Sequence, residues 1–405
     1  MERYFDIAIV GAGPAGLAAS ISAKAQNPDA KVVLLEKMKE PAKKLSASGN
    51  GRGNLSNKEC ASLHTVLDFF SQSGIATRMD DEGRIYPYSE EAKAVAAALT
   101  KRAKRSGVTL LTDSKMSNVE ANPITKGGFR IFVSINGNKQ EIEAQKLLIA
   151  TGGKSFAIYG STGDGQGLAK KLGHQVKPLI PALTAIEVKE SLKSLKGVRA
   201  KARVSLFAKG NMTFEESGEV QFREDCVSGI CIMNMSSNLP VRGEEDDVSL
   251  DDCKIMINFV PEFSTGKLME FLKSEATMVD STVLDLLETL VKKPVAVEIL
   301  KRVGISDLAQ ITNNIDMADI LKIANELRGF SLSPCGRKGW KEAQVTKGGI
   351  ALSQINPETM ESKIVKDLYF AGEIIDYDGP CGGYNLHNAW LTGIKAGRAM
   401  SESLK

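Results

Sequence analysis

At 405 residues the chain is longer than one hydrophobic core usually serves, so two or three domains are expected. Its 52 basic and 49 acidic side chains nearly balance at a net charge of +3, which gives no reason to expect a nucleic-acid or membrane partner. The 6 cysteines, at 60, 226, 231, 253, 335 and 381, form no CxxC pair and have no histidines at ligand spacing, which argues against a zinc site and a disulfide framework and fits a reducing compartment.

No stretch reaches the roughly 18 to 20 apolar residues of a membrane span. The uncharged run from Ile7 to Ala23 is not read as a signal peptide, because Asp6 precedes it and a glycine turn interrupts it. A cytoplasmic protein without a metal site is expected.

The first predicted element is a strand over Ile7 to Val10, ending in Gly11-Ala-Gly13-Pro14-Ala15-Gly16 and followed by a helix from Leu17 to Ala25. In such a unit Gly11 permits the turn, Gly13 lets the backbone approach a pyrophosphate, and Gly16 lets helix pack closely on strand, while the helix N-terminus offers unpaired N–H groups. Lys31 to Leu35 reads as a second buried strand ending in Glu36, twenty residues beyond Gly16, where a carboxylate can hold a ribose hydroxyl pair. Together these parts predict a dinucleotide site. The charge of Glu36 disfavours a 2′-phosphate, so FAD or NAD is expected rather than NADP.

Lys43 to Asn57 is rich in glycine and small polar residues and reads as an irregular loop supplying backbone donors, with Arg52 adding charge. The pattern Glu36-Lys37, Lys43-Lys44-Leu45 and Ser48-Gly-Asn-Gly-Arg-Gly-Asn-Leu-Ser-Asn57 resembles the signature of a three-domain bacterial FAD flavoprotein family that includes aminoacetone oxidase and the flavin reductase of bile-acid dehydroxylation. The resemblance covers nearly the whole chain. It implies tightly bound FAD, with Lys37, Lys44, Ser48, Gly51, Arg52 and Asn54 at the cofactor. Gly53 departs from the family, whose members commonly carry cysteine there, so no thiol contribution is expected at that place.

Asp80 to Ser89 reads as a turn and the alanine-rich stretch from Ala92 to Arg105 as an amphipathic helix, with Ser89 as its N-cap. Arg84 and Tyr86 are candidates for lining the flavin or substrate face. Strands are predicted over Val108 to Leu111 and Met116 to Glu120, and a hairpin of Phe129 to Ile135 with Gln140 to Ile149 around Asn136-Gly137. By resemblance to two-dinucleotide-fold flavoproteins, the turn Thr151-Gly152-Gly153 lies beside the FAD phosphates and the Met116 backbone beside the adenine. Ser155 to Gly167 reads as a structural loop leading into a helix from Leu168 to Leu172.

From about residue 187 the pattern changes to short alternating or β-branched runs, Ala185 to Val188, Ala202 to Ala208, Glu219 to Phe222 and Lys254 to Phe259, consistent with a small antiparallel barrel. Lys267 to Gly329 reads as helices broken at Pro294 and Gly304. The acidic run 243–247 reads as a solvated loop, Cys226 and Cys231 as small buried hydrophobes, and His64 and His174 as solvated or packing residues.

Residues 345–405 return to the α/β pattern. Thr346-Lys-Gly-Gly349 precedes a strand and turn, Pro357 to Lys363 resembles a family motif ahead of Gly372-Glu373, and Asp367 to Ala371 is the last strand. Gly379 to Leu386 then brings backbone N–H groups of Gly382, Gly383, Tyr384, Asn385 and Leu386 beside the isoalloxazine, at the start of a helix read over Asn388 to Met400. A reduced flavin is anionic near N1, and a helix N-terminus carries about half a positive charge, so this placement favours reduction. Cys381 would lie near the ring in a structural or shielding role. His387, where relatives often carry glutamine, is a candidate for substrate contact or proton transfer. With Tyr86 these are the candidates for catalysis, and no catalytic residue is assigned.

The expected fold class is α/β: a two-dinucleotide-fold, glutathione-reductase-like FAD domain (1–186 and 345–405) with an inserted small β-barrel (187–262, return strand in 328–344) and a helical cap (263–327), the inserted parts walling the pocket. No second GxGxxG with a strand before it exists, so NAD(P)H would enter only as a transient co-substrate. The expected activity is NAD(P)H-linked reduction of an unsaturated hydrophobic small molecule such as a steroid-like enone, with hydride transfer at flavin N5. An amine or aminoketone oxidase using oxygen is the alternative enzyme, and a flavin-bearing scaffold or RNA-modification partner the alternative of another class. Oligomeric state is open.

Overall fold

The structure, a computed structural model, describes residues 3–121, 128–241, 248–278, 281–312 and 315–404, so the acidic run 243–247 lies outside the described residues. The chain divides into two units, Met1–Pro181 with Ala343–Lys405, and Ala182–Glu342.

The first unit begins with β1 (Tyr4–Val10), α1 (Pro14–Gln26) and β2 (Val32–Leu35). A layer of short elements follows: α2 (Lys43–Ser46), β3 (Ser56–Asn57), α3 (Leu63–Gln72), β4 (Thr77–Met79) and β5 (Arg84–Pro87). Next come α4 (Ala92–Arg105), β6 (Thr109–Leu111), β7 (Ser114–Ala121), β8 (Phe129–Ile135), β9 (Asn138–Ile149), α5 (Asp164–Lys171) and β10 (Ile180–Ala182). Its main sheet runs β6-β2-β1-β9-β8-β7. β1, β2, β6 and β9 are parallel, and β1 and β2 are apolar along nearly their whole length because helices cover both faces of such strands. β8 and β9 form the expected hairpin, and Asn136 and Gly137 both have positive φ (49° and 82°), as a two-residue turn with the twist of its strands requires.

The second unit holds β11 (Ile186–Val188), β12 (Arg199–Ala208), β13 (Asn211–Phe222), β14 (Cys226–Ser228), α6 (Ile230–Asn238) and β15 (Cys253–Asn258). It continues through α7 (Thr265–Ala276), α8 (Asp285–Glu288), α9 (Lys293–Arg302), α10 (Met317–Gly329), β16 (Phe330–Leu332) and β17 (Pro334–Arg337). Among the described residues its seven strands form one sheet in the order β16-β15-β12-β13-β14-β11-β17, with every pairing antiparallel. Alternation of buried and exposed residues along β12 marks a sheet with one face in a core. That core is shared, since Val204, Ile255 and Ile257 of the sheet pack in one cluster with Leu268, Ile299 and Ile323 of the helices. Pro294 starts α9, in the first turn where a missing N–H costs nothing. Cys226 and Cys231 are buried, and burial pushes each thiol up to about 11, which leaves them inert hydrophobes.

The first unit is completed by β18 (Val345–Lys347), β19 (Leu368–Phe370) and α11 (Tyr384–Glu402). β19 lies parallel to the second half of β9, whose first half pairs with β8.

Four local expectations are corrected. Ser89 does not cap α4: Glu91 is the N-cap residue, and the Ser89 hydroxyl instead accepts from the Glu91 N–H at 3.3 Å. The stretch 43–57 is more regular than its glycines suggest, since it contains α2, a 3-10 turn over Ser48–Gly51 and β3. The glycine-rich segment 163–167 is not a loop but the start of α5, because Gly163 caps the helix at φ +79° and Gly165 is the residue that fits beneath Thr151, where a Cβ would come within 2.0 Å of the Thr151 hydroxyl. The last helix begins at Tyr384 rather than Asn388, directly after two positive-φ glycines.

Candidate functional site

The register of the parallel strands brings several chain segments to one edge. Val10 pairs with Leu35 and with Ile149, Leu35 with Leu111, and Ile149 with Phe370. The turns carrying Gly11, Glu36, Thr151 and Gly372 therefore leave the sheet side by side at its carboxyl edge, where open α/β sheets bind ligands.

At Gly11 the chain turns with φ +101°, and its N–H donates to the Leu35 carbonyl at 2.8 Å. Gly16 is needed for packing, since a Cβ there would fall 1.8 Å from the Gly11 carbonyl oxygen. Gly13 is different. A Cβ at Gly13 would meet nothing within 4 Å, so its backbone faces open space. Pro14 occupies the first turn of α1, and no side chain caps that helix among the described residues, which leaves the Ala15 and Gly16 amides for a ligand.

Glu36 is buried and accepts from the Ala12 N–H (2.9 Å, Oε2) and the Met38 N–H (2.8 Å, Oε1). Burial raises its carboxyl above the usual range against the pull of those two amides. Met116 follows Ser114, whose N–H donates to the Glu36 carbonyl at 2.8 Å, and β7 bulges between Met116 and Asn118. These features fit the adenosine end of a dinucleotide.

Around Gly152 and Gly153 the site becomes crowded. Gln166 donates to the Gly152 carbonyl at 3.0 Å, while Thr151 Oγ1 and Gln166 Oε1 are buried without a partner among the described residues. Such orphaned atoms beside a glycine turn fit a site shaped for a polar group. Lys44 Nζ reaches Glu373 Oε2 at 2.6 Å, and the Thr346 N–H donates to Glu373 Oε1 at 2.8 Å. Gly372 is pinned by its N–H to Thr392 Oγ1 at 3.0 Å. Lys37 pairs with Asp164 at 3.1 Å.

Other expected cofactor residues turn out to be engaged within the chain. Arg52 is bound to Glu90 at 2.5 Å, a carboxylate it shares with Arg78, and lies over the Tyr86 ring, 4.5 Å from its centroid, with Tyr86 buried beneath it. Arg84 pairs with Asp80 at 2.8 Å. Ser48 donates to the Leu45 carbonyl at 2.7 Å. Gly51 has φ +85° and open space where a Cβ would stand.

The glycine turn before α11 is held from several directions. Asn57 Nδ2 donates to the Gly382 carbonyl at 3.0 Å, and Asn54, its amide oriented to suit both neighbours, accepts from the Gly383 N–H at 3.2 Å and donates to the Ser56 carbonyl at 3.0 Å. The Asn385 side chain clasps Gly379, accepting its N–H at 2.9 Å and donating to its carbonyl at 2.7 Å. Only main-chain groups of Tyr384, Asn385 and the half-buried Leu386 are thus placed to act as a helix N-terminus. Cys381 lies 3.9 Å from Gln344 Oε1.

His387 faces inward. It is buried, with Nδ1 2.8 Å from Ser56 Oγ and Nε2 2.8 Å from the Ala61 carbonyl, and burial lowers its basicity. The carbonyl requires a proton on Nε2, so Nδ1 accepts from the serine. With both nitrogens engaged, His387 braces the 56–61 segment against α11. His174 is likewise a packing residue, held by Ala169 and by Ser362 at 2.7 Å. The residues that sequence reasoning missed are Thr346, Gln166 and Asn57; Thr346 carried a signal in the Thr346-Lys-Gly-Gly349 motif and Asn57 in closing the Ser48 to Asn57 pattern, while Gln166 carried none.

The fold and this carboxyl-edge site define an FAD-dependent oxidoreductase. The chain belongs to the HI0933-like protein Rossmann domain family, which it matches over residues 61–399. It is 29% identical to the 3-dehydro-bile acid delta(4,6)-reductase of Clostridium scindens, over 98% of this chain and 99% of that protein. It is 28% identical to the ribosomal RNA dihydrouridine synthase of Escherichia coli, over 96% of each. Among solved structures it resembles 3-ketosteroid delta1-dehydrogenase from Sterolibacterium denitrificans, with a TM-score of 0.54 at 10% identity over 99% of this chain and 100% of that one, a likeness of fold. No helix among the described residues is long and apolar enough to cross a membrane.

Proposed function

We propose that the protein reduces a carbon–carbon double bond conjugated to a carbonyl in a hydrophobic, steroid-like small molecule, with NAD(P)H as a transient donor in a cytoplasmic setting. The observation that carries this reading is the full-length likeness to a bile-acid delta(4,6)-reductase. FAD, when bound, supplies hydride chemistry at N5. Gly11, Gly13, Ala15 and Gly16 would take its pyrophosphate and Glu36 its ribose, while Lys44, Glu373 and the turn over Thr151 to Gly153 would hold the middle of the molecule. The first-turn amides of α11 would face the ring, where a helix N-terminus stabilises negative charge. We read the seven-stranded sheet of the second unit as the small barrel and its helices as the cap.

A second reading, reduction of a uridine in ribosomal RNA, is favoured by the E. coli relative and by one from Haemophilus influenzae at 26% identity. The two readings share one chemistry, since uridine also presents a double bond conjugated to a carbonyl. Anaerobic mixing separates them: NADH or NADPH should bleach the flavin, and a dienone bile acid should restore its colour within turnover. Restoration only by RNA lacking dihydrouridine would replace the first reading with the second. Bleaching only by an amine would indicate an oxidase and sink both.

A further inference from the structure

Thr346 takes part in none of the contacts assigned above to the cofactor, yet it joins three of the segments that make them. It is fully buried. Its hydroxyl oxygen accepts from two successive amides, Lys154 N–H at 2.7 Å and Ser155 N–H at 3.2 Å, and lies 3.1 Å from Ser155 Oγ. Its own N–H donates to Glu373 Oε1 at 2.8 Å, while the other carboxylate oxygen of Glu373 holds Lys44 at 2.6 Å. Gly153 completes the fit: a Cβ there would lie 2.3 Å from Thr346 Oγ1 and 2.8 Å from Glu373 Oε1.

We propose that Thr346 is a positioning residue for FAD, its hydroxyl fixing the turn over Gly152 to Ser155 and its amide aiming the Glu373 carboxylate. The inference rests on the cofactor site assigned above. A threonine suits the task because its β-branched side chain has few rotamers, and its hydroxyl can accept two N–H groups while still donating one proton. Valine has the same shape but leaves the buried Ser155 amide and the half-buried Lys154 amide without this acceptor, a loss that falls on the turn itself.

The test measures the dissociation constant and release rate of FAD by flavin fluorescence in wild type, Thr346→Val, Thr346→Ser, Glu373→Gln and the Thr346→Val/Glu373→Gln pair. Thr346→Val should weaken FAD binding about tenfold or more, and Thr346→Ser should restore it to within about threefold, as expected for loss and retention of a buried acceptor. The double variant should be impaired by about the product of the single effects, because valine loses only the hydroxyl's hold on the turn and keeps the main-chain N–H that meets Glu373. FAD affinity unchanged in Thr346→Val, even with a lower melting temperature of the protein stripped of FAD, would reduce Thr346 to a packing residue and overturn the proposal. So would Thr346→Ser as weak as valine. If Thr346→Val does not fold, Gly153→Ala pushes on the same pair from the other side, and unaltered FAD affinity there also overturns it. A wild type that takes up no FAD overturns the cofactor reading and this inference with it.

Discussion

Gly13 and Gly16 lie in one turn, three residues apart, and should fail differently when enlarged. Gly13→Ala places its methyl in open space, so the protein stripped of FAD should unfold at the same urea concentration as wild type while FAD affinity drops. Gly16→Ala places its methyl 1.8 Å from a backbone oxygen, so the fold itself should lose stability, by about 1–3 kcal/mol, before any ligand is considered. Equal effects of both variants on urea unfolding would show that Gly13 does not face a ligand. The two buried histidines set a pH dependence. Burial lowers the basicity of His174 and His387 in the folded state, while in the unfolded chain each titrates near about 6.5. The unfolded chain therefore binds more protons below that value, so stability is full above it and falls as the pH drops through the folded-state values. Urea titrations at pH 7.5 and 5.5 should show this loss in wild type and a smaller one in a His174→Gln/His387→Gln variant.

At the scale of elements, α1 and α11 pack backbone against backbone. A Cβ at Gly393 would stand 2.3 Å from the Ala15 carbonyl oxygen, and one at Gly397 would stand 2.2 Å from that of Ala19. These are positions i and i+4 on both helices, so one small-residue face lies on another. Gly397→Val should force the helices apart, lower the melting temperature at a cost of about 1–3 kcal/mol and, on the cofactor placement proposed above, speed FAD release, since α1 would present the pyrophosphate amides. A valine variant that melts like wild type would show that the helices have room to separate. The same scale explains which parts were legible in sequence. Gly11, Gly13, Gly16 and Glu36 act within one βαβ unit, and Asn136-Gly137 within one hairpin, so local spacing announces them. The Lys44–Glu373 pair spans 329 positions, and the start of α5 depends on the fit of Gly165 beneath Thr151; neither leaves a local pattern. Arg52 reads from sequence as free charge because its partner Glu90, which it shares with Arg78, lies on a different segment.

At the scale of the molecule, the second unit enters and leaves through neighbouring strands. Ile186 of β11 pairs with Arg337 of β17, so the segment 182–342 begins and ends at one place. It also carries its own core, in which Phe222, Phe330, Leu268 and Ile299 are fully buried. Expressed alone, residues 182–342 should give one cooperative urea transition by circular dichroism. A gradual, featureless loss of signal would mean that this core needs the remainder of the chain.

The pairing of α1 with α11 also sets a timetable for synthesis. The alanine face of α1 leaves the ribosome early, but its counterpart follows roughly 360 residues later, which at ordinary elongation rates is a wait on the order of tens of seconds. During that interval the nascent chain exposes an unfinished apolar layer, a natural substrate for chaperones. A translation-arrested chain ending near residue 380 should accordingly emerge colourless, while one released after α11 should turn yellow.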